Sequence, residues 1–163
     1  MTLSSGDTLP DADLMVMSES GPAVQRLSDL TKDRKVVIFG LPGAYTGTCS
    51  TAHVPSFIRN MDKLRGKGVD EVICVSVNDP FVMTAWGKDT GATEAGIRML
   101  ADPEASFTKA MGLDFTAPPA GLINRSKRYA MVVEKGEIRL LNIEDTPGVC
   151  DMSGGERILD EIA

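Results

Sequence analysis

The sequence predicts a single-domain α/β fold in which a mixed central β-sheet is flanked by helices. Two short apolar runs, Lys35–Gly40 and Glu71–Val77, have the continuous hydrophobic character of strands that are buried on both faces. An amphipathic segment over Val54–Leu64 lies between them, so the three form a βαβ unit with an expected right-handed crossover. A later pair of runs, Tyr129–Val133 and Ile138–Ile143, has the spacing of an antiparallel hairpin, which makes the predicted sheet mixed.

The other predicted elements alternate between strand and helix. Asp79 and Pro80 supply an N-cap and a first-turn proline, which predict a helix that runs toward Gly91. A third strand is expected over Ile97–Ala101. A short helix follows between Asp102 and Gly112, and the last helix is expected over Gly155–Ile162. The expected order is β-α-β-α-β-α-β-β-α. Neither a repeat nor a linker-like change in composition divides residues 1–163, so one domain is expected.

Composition excludes several classes of function. A net charge of −6 and a pI near 4.8 argue against nucleic acid or an anionic membrane as a partner, because both would repel the chain. No apolar run approaches the ~20 residues of a membrane span, and the first residues do not resemble a signal peptide. Three widely spaced cysteines and one histidine fit neither a disulfide scaffold nor a metal site. No glycine pattern for a nucleotide is present, so a cofactor-free protein of the reducing cytoplasm is expected.

The most informative stretch is Pro42–Cys49, which connects the first central strand to the amphipathic helix. It places Cys49 in a first helical turn, where unpaired backbone N–H groups and the helix dipole stabilise a thiolate, the nucleophilic form of cysteine. Thr46 occupies the position three residues earlier, where a dithiol oxidoreductase needs its second cysteine. A hydroxyl at this position can hold a thiolate or a bound peroxide by hydrogen bonding, so the pattern favours peroxide cleavage.

With Pro42, Thr46 and Cys49, the stretch matches the Pro-x-x-x-Thr-x-x-Cys signature, and the chain resembles the peroxiredoxins. Three further stretches resemble the type II, or peroxiredoxin V-like, subgroup: Ser50 with His53, Val54 and Pro55; Val77–Met83 with Trp86; and Arg128–Val133. The similarity therefore spans nearly the whole chain. Gly47 departs from the subgroup, which usually has proline there, and this predicts a more mobile loop that a Gly47→Pro change would restrict.

The resemblance implies a thioredoxin-like fold with Cys49 as the peroxidatic residue. Thr46 would hydrogen-bond the sulfur and the peroxide, and Pro42 would shield the sulfur from water. Arg128 would complete the site from a distant part of the chain. A permanently charged guanidinium suits that role, since it favours both the thiolate and the negative charge that develops on the departing oxygen.

His53, the sole histidine, follows Cys49 by four residues and so shares its helix face. A packing or supporting role is preferred to proton transfer. Pro55 removes a backbone donor from the helix and is expected to kink it. Arg125 and Lys127, near Arg128, are interpreted as residues of a solvated loop.

Two further cysteines leave the fate of oxidised Cys49 open. Cys74 alternates with Ile73 and Val75 in a predicted buried strand, where free cysteine commonly behaves as a small inert hydrophobe. The resemblance supplies an alternative, because plant members carry a cysteine at this spacing that can resolve a sulfenic acid after local unfolding. Cys150, in the loop before the last helix, lies near the resolving cysteine of mammalian members. If neither reacts, glutathione or a glutaredoxin must act directly through a mixed disulfide.

The resemblance also implies a homodimer formed by the loop before Cys49 and the helix after Pro80. Tyr45, Phe81 and Trp86 are each interpreted first as core-filling aromatics, and alternatively as part of that interface.

The favoured function is a peroxidase that reduces hydrogen peroxide or alkyl hydroperoxides, with glutathione or glutaredoxin as the expected reductant and thioredoxin as a further one. One alternative is a peroxide-sensing relay in which oxidised Cys49 passes its state to a protein partner. Another is a structural or chaperone-like domain with an incidental cysteine, which the joint presence of the four matching site residues opposes.

Overall fold

The computed structural model describes residues 2–162 and places a seven-stranded mixed sheet at the centre of the molecule. The strands are β1 Asp13–Ser18, β2 Gly21–Arg26, β3 Lys35–Leu41, β4 Glu71–Ser76, β5 Arg98–Ala101, β6 Asp114–Ala117, β7 Leu122–Ser126, β8 Tyr129–Glu134 and β9 Glu137–Ile143. The helices are α1 Leu27–Thr31, α2 Val54–Gly66, α3 Pro80–Thr90, α4 Ser106–Ala110 and α5 Gly155–Glu161. The order in the large sheet is β2-β1-β5-β4-β3-β8-β9, and β6 pairs with β7 separately.

The predicted fold class is confirmed, since β3, α2 and β4 form the expected βαβ unit and β4, α3 and β5 form a second one. β3 pairs in parallel with β4, and β4 with β5. The hairpin of β8 and β9 joins the sheet through antiparallel pairing of β8 with β3, which makes the sheet mixed. Prolines and glycines bound these helices as expected: Asp79 accepts a hydrogen bond from the Val82 backbone N–H (2.8 Å) at the start of α3, and Gly91 ends it with φ +83°.

The predicted order of elements is incomplete, because it omits the hairpin of β1 and β2, helix α1, and the pair β6 and β7. β2 contains Gly21 and Pro22 and lies at an edge of the sheet, where proline is tolerated but the sequence resembles a loop. The β6–β7 pair surrounds Pro118 and Pro119, which suggested a loop for the same reason. The short helix also starts later than predicted: α4 begins at Ser106.

The core has two layers because successive side chains of a strand point to opposite faces of the sheet. On β3, Val37 and Phe39 pack in the layer that contains α2 and α3, while Val36 and Ile38 pack in the opposite layer with α1 and α4. Both faces of this central strand are therefore buried, which explains its uninterrupted apolar sequence.

The antiparallel pairing of β3 with β8 brings two distant segments to one end of the sheet. The chain leaves β3 at Leu41 and enters β8 at Tyr129, and Gly40 is paired with Tyr129. A Cβ on Gly40 would lie 2.8 Å from the Tyr129 hydroxyl, so this close approach requires glycine. Residues 42–48, the active-site loop, thus begin beside Arg128.

None of the helices in residues 2–162 is both long and apolar enough to cross a membrane.

Helix α5 packs against α2 through a close contact at Gly155, whose backbone N–H donates to Ser56 Oγ (2.8 Å). A Cβ on Gly155 would lie 2.7 Å from the Ser56 carbonyl carbon, and backbone cannot move aside as a flexible side chain can. We expect Gly155→Ala to lower the free energy of unfolding by about 2 kcal/mol through overpacking. Gly154→Ala is the matched control, because its Cβ would meet ordinary contacts of 3.6 Å and longer. Urea unfolding measures both, and equal stability of the two variants would contradict this packing.

Candidate active site

Cys49 lies in the first turn of a helix, as the sequence predicts. Helical structure begins at Gly47, widens into a π-turn over Cys49–His53 and continues into α2. The first hydrogen bond joins the Ser50 N–H to the Thr46 carbonyl (3.1 Å). The wide turn ends two residues before Pro55, which lacks a backbone donor and lies in the first turn of α2, and the kink expected at Pro55 stays a prediction. The thiol of Cys49 is fully buried.

Arg128 reaches this thiol from the start of β8. Its Nη2 donates to Cys49 Sγ (3.2 Å), and its Nε and Nη2 both donate to the Pro147 carbonyl (3.1 and 2.9 Å). Only 2% of Arg128 is exposed, and no carboxylate within residues 2–162 forms an ion pair with it. A buried cation without an acidic partner favours an anion beside it, and Cys49 can supply one as a thiolate.

His53 holds the Arg128 guanidinium through a hydrogen bond. A guanidinium can only donate, so the 2.9 Å contact from Arg128 Nη1 makes His53 Nδ1 the acceptor and leaves the proton on Nε2, which donates to the Ser153 carbonyl (3.0 Å). Burial and then the positive charge of Arg128 lower the pKa of His53 to about 3. The ring packs against Phe39 and Phe57. It is therefore neutral near pH 7, with both nitrogens occupied.

The active-site loop holds Thr46 by a different bond from the one expected. Thr46 Oγ1 donates its single proton to the Gly43 carbonyl (2.8 Å), and in the described chain its hydroxyl makes no hydrogen bond to Cys49. Its oxygen remains able to accept a hydrogen bond. Pro42 is buried at the start of the loop. Gly47 is exposed and begins the helix, where a Cβ would meet no atom within 4 Å.

The interpretation of Arg125 as a solvated residue is wrong. Its Nη1 donates to the Pro42 carbonyl (3.3 Å) and lies beside Gly43, where a Cβ would approach it to 2.6 Å. Lys127 is exposed, as expected for a loop residue. No sequence pattern separates these two cations, because the contact of Arg125 with Pro42 joins residues that are far apart in the chain.

Side chains from the region of α3 anchor the active-site loop and the π-turn that follows it. Asn78 Oδ1 accepts from the Ala44 N–H (3.0 Å), Tyr45 Oη donates to Asp89 (2.6 Å), and Trp86 Nε1 donates to Ser50 Oγ (3.0 Å). The sequence pattern around Asp79 and Pro80 predicts only a helix start, so it gives no indication of the bond from Asn78 to the loop.

The core-filling interpretation of the three aromatics holds only for Trp86, which is fully buried. Tyr45 and Phe81 are 53% and 61% exposed. Core filling is therefore wrong for these two, and the interface alternative remains for them.

The other cysteines occupy different environments. Cys74 is fully buried in β4, between β3 and β5, in the same core layer as Cys49, and burial raises the pKa of its thiol well above the usual value. Cys150 is half-buried and lies in the β9–α5 loop, residues 144–154. Burial raises the pKa of its thiol as well. All three thiols are free.

Comparison with known proteins agrees with this geometry. Residues 4–159 match the Redoxin family. Mitochondrial peroxiredoxin-2F of Arabidopsis thaliana is 48% identical over 136 residues, which cover 83% of this chain and 67% of that protein. The reduced Prx3 of Vibrio vulnificus in complex with H2O2 is 44% identical, with a TM-score of 0.90 over 99% of this chain and 100% of that one. Peroxiredoxin 5 of Alvinella pompejana is 32% identical, with a TM-score of 0.84 over 98% and 97% of the two chains.

The fold, the helix-start cysteine beside a buried arginine, and these similarities define the class: the chain belongs to the Redoxin family and is a peroxiredoxin, a peroxidase of thioredoxin fold. Within that class it is of the type II, or peroxiredoxin 5-like, kind.

The buried neutral state of His53 predicts a pH-dependent stability. As pH falls below the usual histidine pKa of 6.5, His53 takes up a proton in the unfolded chain but not in the folded chain, where its pKa is about 3. The free energy of unfolding therefore falls with pH over this range. Between neutral pH and pH 5 this costs about 2 kcal/mol of unfolding free energy. Urea unfolding across this range measures it, with His53→Gln as the reference in which the extra loss disappears. Parallel curves for the two proteins would contradict the assignment.

Proposed function

We propose that Cys49 is the peroxidatic residue of a thiol peroxidase that reduces hydrogen peroxide and alkyl hydroperoxides. The observation that carries the proposal is the 3.2 Å hydrogen bond from the buried Arg128 guanidinium to Cys49 Sγ. The bond places a permanent positive charge against the sulfur, at the point where negative charge must be stabilised before and during the reaction.

In the proposed reaction the Cys49 thiolate attacks one oxygen of the peroxide. A sulfur–oxygen bond forms as the O–O bond breaks, and the electron pair leaves with the other oxygen as hydroxide or alkoxide, which takes a proton to become water or alcohol. Sulfur is oxidised to a sulfenic acid and the peroxide is reduced. Arg128 stabilises the thiolate at the start and the departing oxygen at the end.

Thr46 and Pro42 have supporting roles in this proposal. Because the Thr46 hydroxyl already donates to Gly43, its oxygen is available to accept a hydrogen bond from the O–H of the peroxide. The buried Pro42 limits access of water to the sulfur. Arg125 holds the Pro42 carbonyl, and His53 holds Arg128 as a neutral hydrogen-bond partner.

A thiol reductant then returns Cys49 to its starting state. A glutathione thiolate attacks the sulfenic sulfur, water is released, and a second thiol, from glutathione or glutaredoxin, displaces Cys49 from the mixed disulfide. Cys74 lies in the same core layer as Cys49 and both thiols are buried, so direct resolution by Cys74 would require local unfolding of the helix start that carries Cys49. Cys150 lies in a loop and would need a smaller rearrangement, so it is the more accessible internal resolving residue. Thioredoxin is the expected reductant of such an internal disulfide.

The exposed Tyr45 and Phe81 support a homodimer that buries the active-site loop and the start of α3. Aromatic side chains of this size suit the apolar centre of an interface. A cytoplasmic location remains a prediction from cysteine usage.

One equivalent of hydrogen peroxide added to the reduced protein should oxidise Cys49 within seconds. A thiol-blocking quench followed by peptide mass spectrometry reads each cysteine, and glutathione in a parallel sample should yield an adduct on Cys49. A Cys49–Cys150 disulfide would instead identify an internal resolving step. The Cys49→Ser variant is the control, and peroxide consumption equal to that of the wild type in this variant would refute the proposal.

Replacing Arg128 by lysine should slow the reaction of Cys49 with peroxide by about 100-fold, because a single ammonium nitrogen cannot occupy the three positions from which Nε, Nη1 and Nη2 contact the Pro147 carbonyl, His53 and the sulfur. Lys127→Gln removes an adjacent exposed charge and should react within about twofold of the wild type, as expected for a screened surface group. Stopped-flow kinetics measures both rate constants. If the two variants slowed equally, general electrostatic attraction and not the specific contact would be responsible.

A further inference from the structure

The orientation of Arg128 depends on one segment of backbone, the β9–α5 loop. Its Pro147 carbonyl accepts two hydrogen bonds from the guanidinium, and its Ser153 carbonyl accepts the hydrogen bond of His53. His53 in turn accepts from Arg128 Nη1. Both supports of the guanidinium therefore move if this loop moves.

The carboxylate of Glu144 fixes the loop from its first residue. One oxygen, Oε2, accepts from the Asp151 N–H (2.8 Å), the Ser153 N–H (2.7 Å) and Ser153 Oγ (2.7 Å). The Glu144 N–H also donates to the Arg128 carbonyl (2.9 Å), which ties the start of the loop to the start of β8.

Glu144 is only 6% exposed, and it has no cationic partner in the part of the chain that the structure describes. A buried carboxylate without a cation is stabilised by the hydrogen bonds it accepts, and those of Glu144 all come from Asp151 and Ser153. The hydrogen bonds of the Glu144 carboxylate therefore all hold the β9–α5 loop in place.

We infer that Glu144 is a positioning residue for the peroxidase reaction, because its carboxylate holds the Pro147 and Ser153 carbonyls where they aim Arg128 and His53 at Cys49. The inference rests on the proposed role of Cys49. Nothing in the spacing of the sequence indicated it, since Glu144 is separated from Cys49 by most of the chain and touches it only through other residues.

A positioning role and a direct charge effect predict opposite changes in the reaction rate when the Glu144 carboxylate is neutralised. The Cys49 sulfur accepts a hydrogen bond from Arg128 and interacts electrostatically with the buried thiol of Cys74, while the neutral His53 contacts Arg128. If Glu144 acted through space, removing its negative charge would favour the thiolate and speed the reaction. If it acts by positioning Arg128, the same change loosens the cation, disfavours the thiolate and slows the reaction.

The test compares Glu144→Gln, which keeps the shape and one acceptor oxygen, with the wild type. We expect the rate constant for peroxide to fall about tenfold, because a neutral amide weakens the three hydrogen bonds that hold the loop and so loosens Arg128. The midpoint of a pH profile for alkylation of Cys49 by iodoacetamide, read on the Cys49 peptide, should move to higher pH. An unchanged midpoint, or one at lower pH, would overturn the inference.

Asp102→Asn is the matched control. The Asp102 carboxylate is also buried and also accepts from two backbone N–H groups and one hydroxyl, those of Phe107 and Thr108, but it makes no hydrogen bond to the β9–α5 loop. It should leave the rate constant within about twofold and the midpoint of the alkylation profile unchanged, because the bonds that it weakens belong to the start of α4 and do not position Arg128.

A double-mutant cycle separates positioning from general damage. In an Arg128→Lys background, Glu144→Gln should have little further effect, since the group that it positions has been removed. A full additional tenfold loss there would overturn the inference. If Glu144→Gln does not fold, Ser153→Ala removes one of the three hydrogen bonds and should shift the alkylation midpoint in the same direction by a smaller amount.

Failure of the inference and failure of the proposed function give different results. A wild-type protein that alkylates at Cys49 but does not react with peroxide would refute the proposed function, and the alkylation profiles would still decide the role of Glu144. A wild type that reacts with peroxide, beside a Glu144→Gln variant with the same rate and profile, would refute the inference alone.

Discussion

A guanidinium buried beside a thiol governs the arrangement of this molecule. Removing a charged group from water costs several kcal/mol unless other groups replace the lost hydration. Within residues 2–162, Arg128 meets that requirement without a carboxylate, through a backbone carbonyl at Pro147, the Nδ1 atom of His53 and the sulfur of Cys49. Because the neutral partners leave its charge uncompensated, the sulfur is the group on which that charge acts.

The sheet makes this contact possible. Antiparallel pairing of β3 with β8 places the active-site loop and Arg128 at the same end of two adjacent strands, although Cys49 and Arg128 are 79 residues apart. The close approach of the strands depends on Gly40, opposite Tyr129. The β9–α5 loop then closes over Arg128, so three segments of the chain meet at one side chain.

The fold places the three cysteines in three different kinds of structural element. Cys49 lies in a first helical turn next to a cation, Cys74 in the centre of the sheet and Cys150 in a loop. A thiol on the face of a central strand becomes accessible only when the elements packed over it move, whereas a loop can rearrange with less loss of packing. Chemical reactivity in this protein therefore depends on the element that carries each sulfur as much as on the sulfur itself.

The sequence by itself determined the α/β class, the βαβ unit and the placement of Cys49 at a helix start, because hydrophobic periodicity and the spacing of Pro42, Thr46 and Cys49 are local properties of the chain. It could not reveal β2, whose Gly21 and Pro22 are tolerated at the edge of the sheet, the β1 strand that pairs with it, or the β6–β7 pair, which is separated by Pro118 and Pro119. The partners of Arg128 in the β9–α5 loop, and the contact of Arg125 with Pro42, were decided only by tertiary structure. Backbone carbonyls carry no sequence signature, and the hydrogen bonds that they accept from distant side chains exist only once the sheet has brought those segments together.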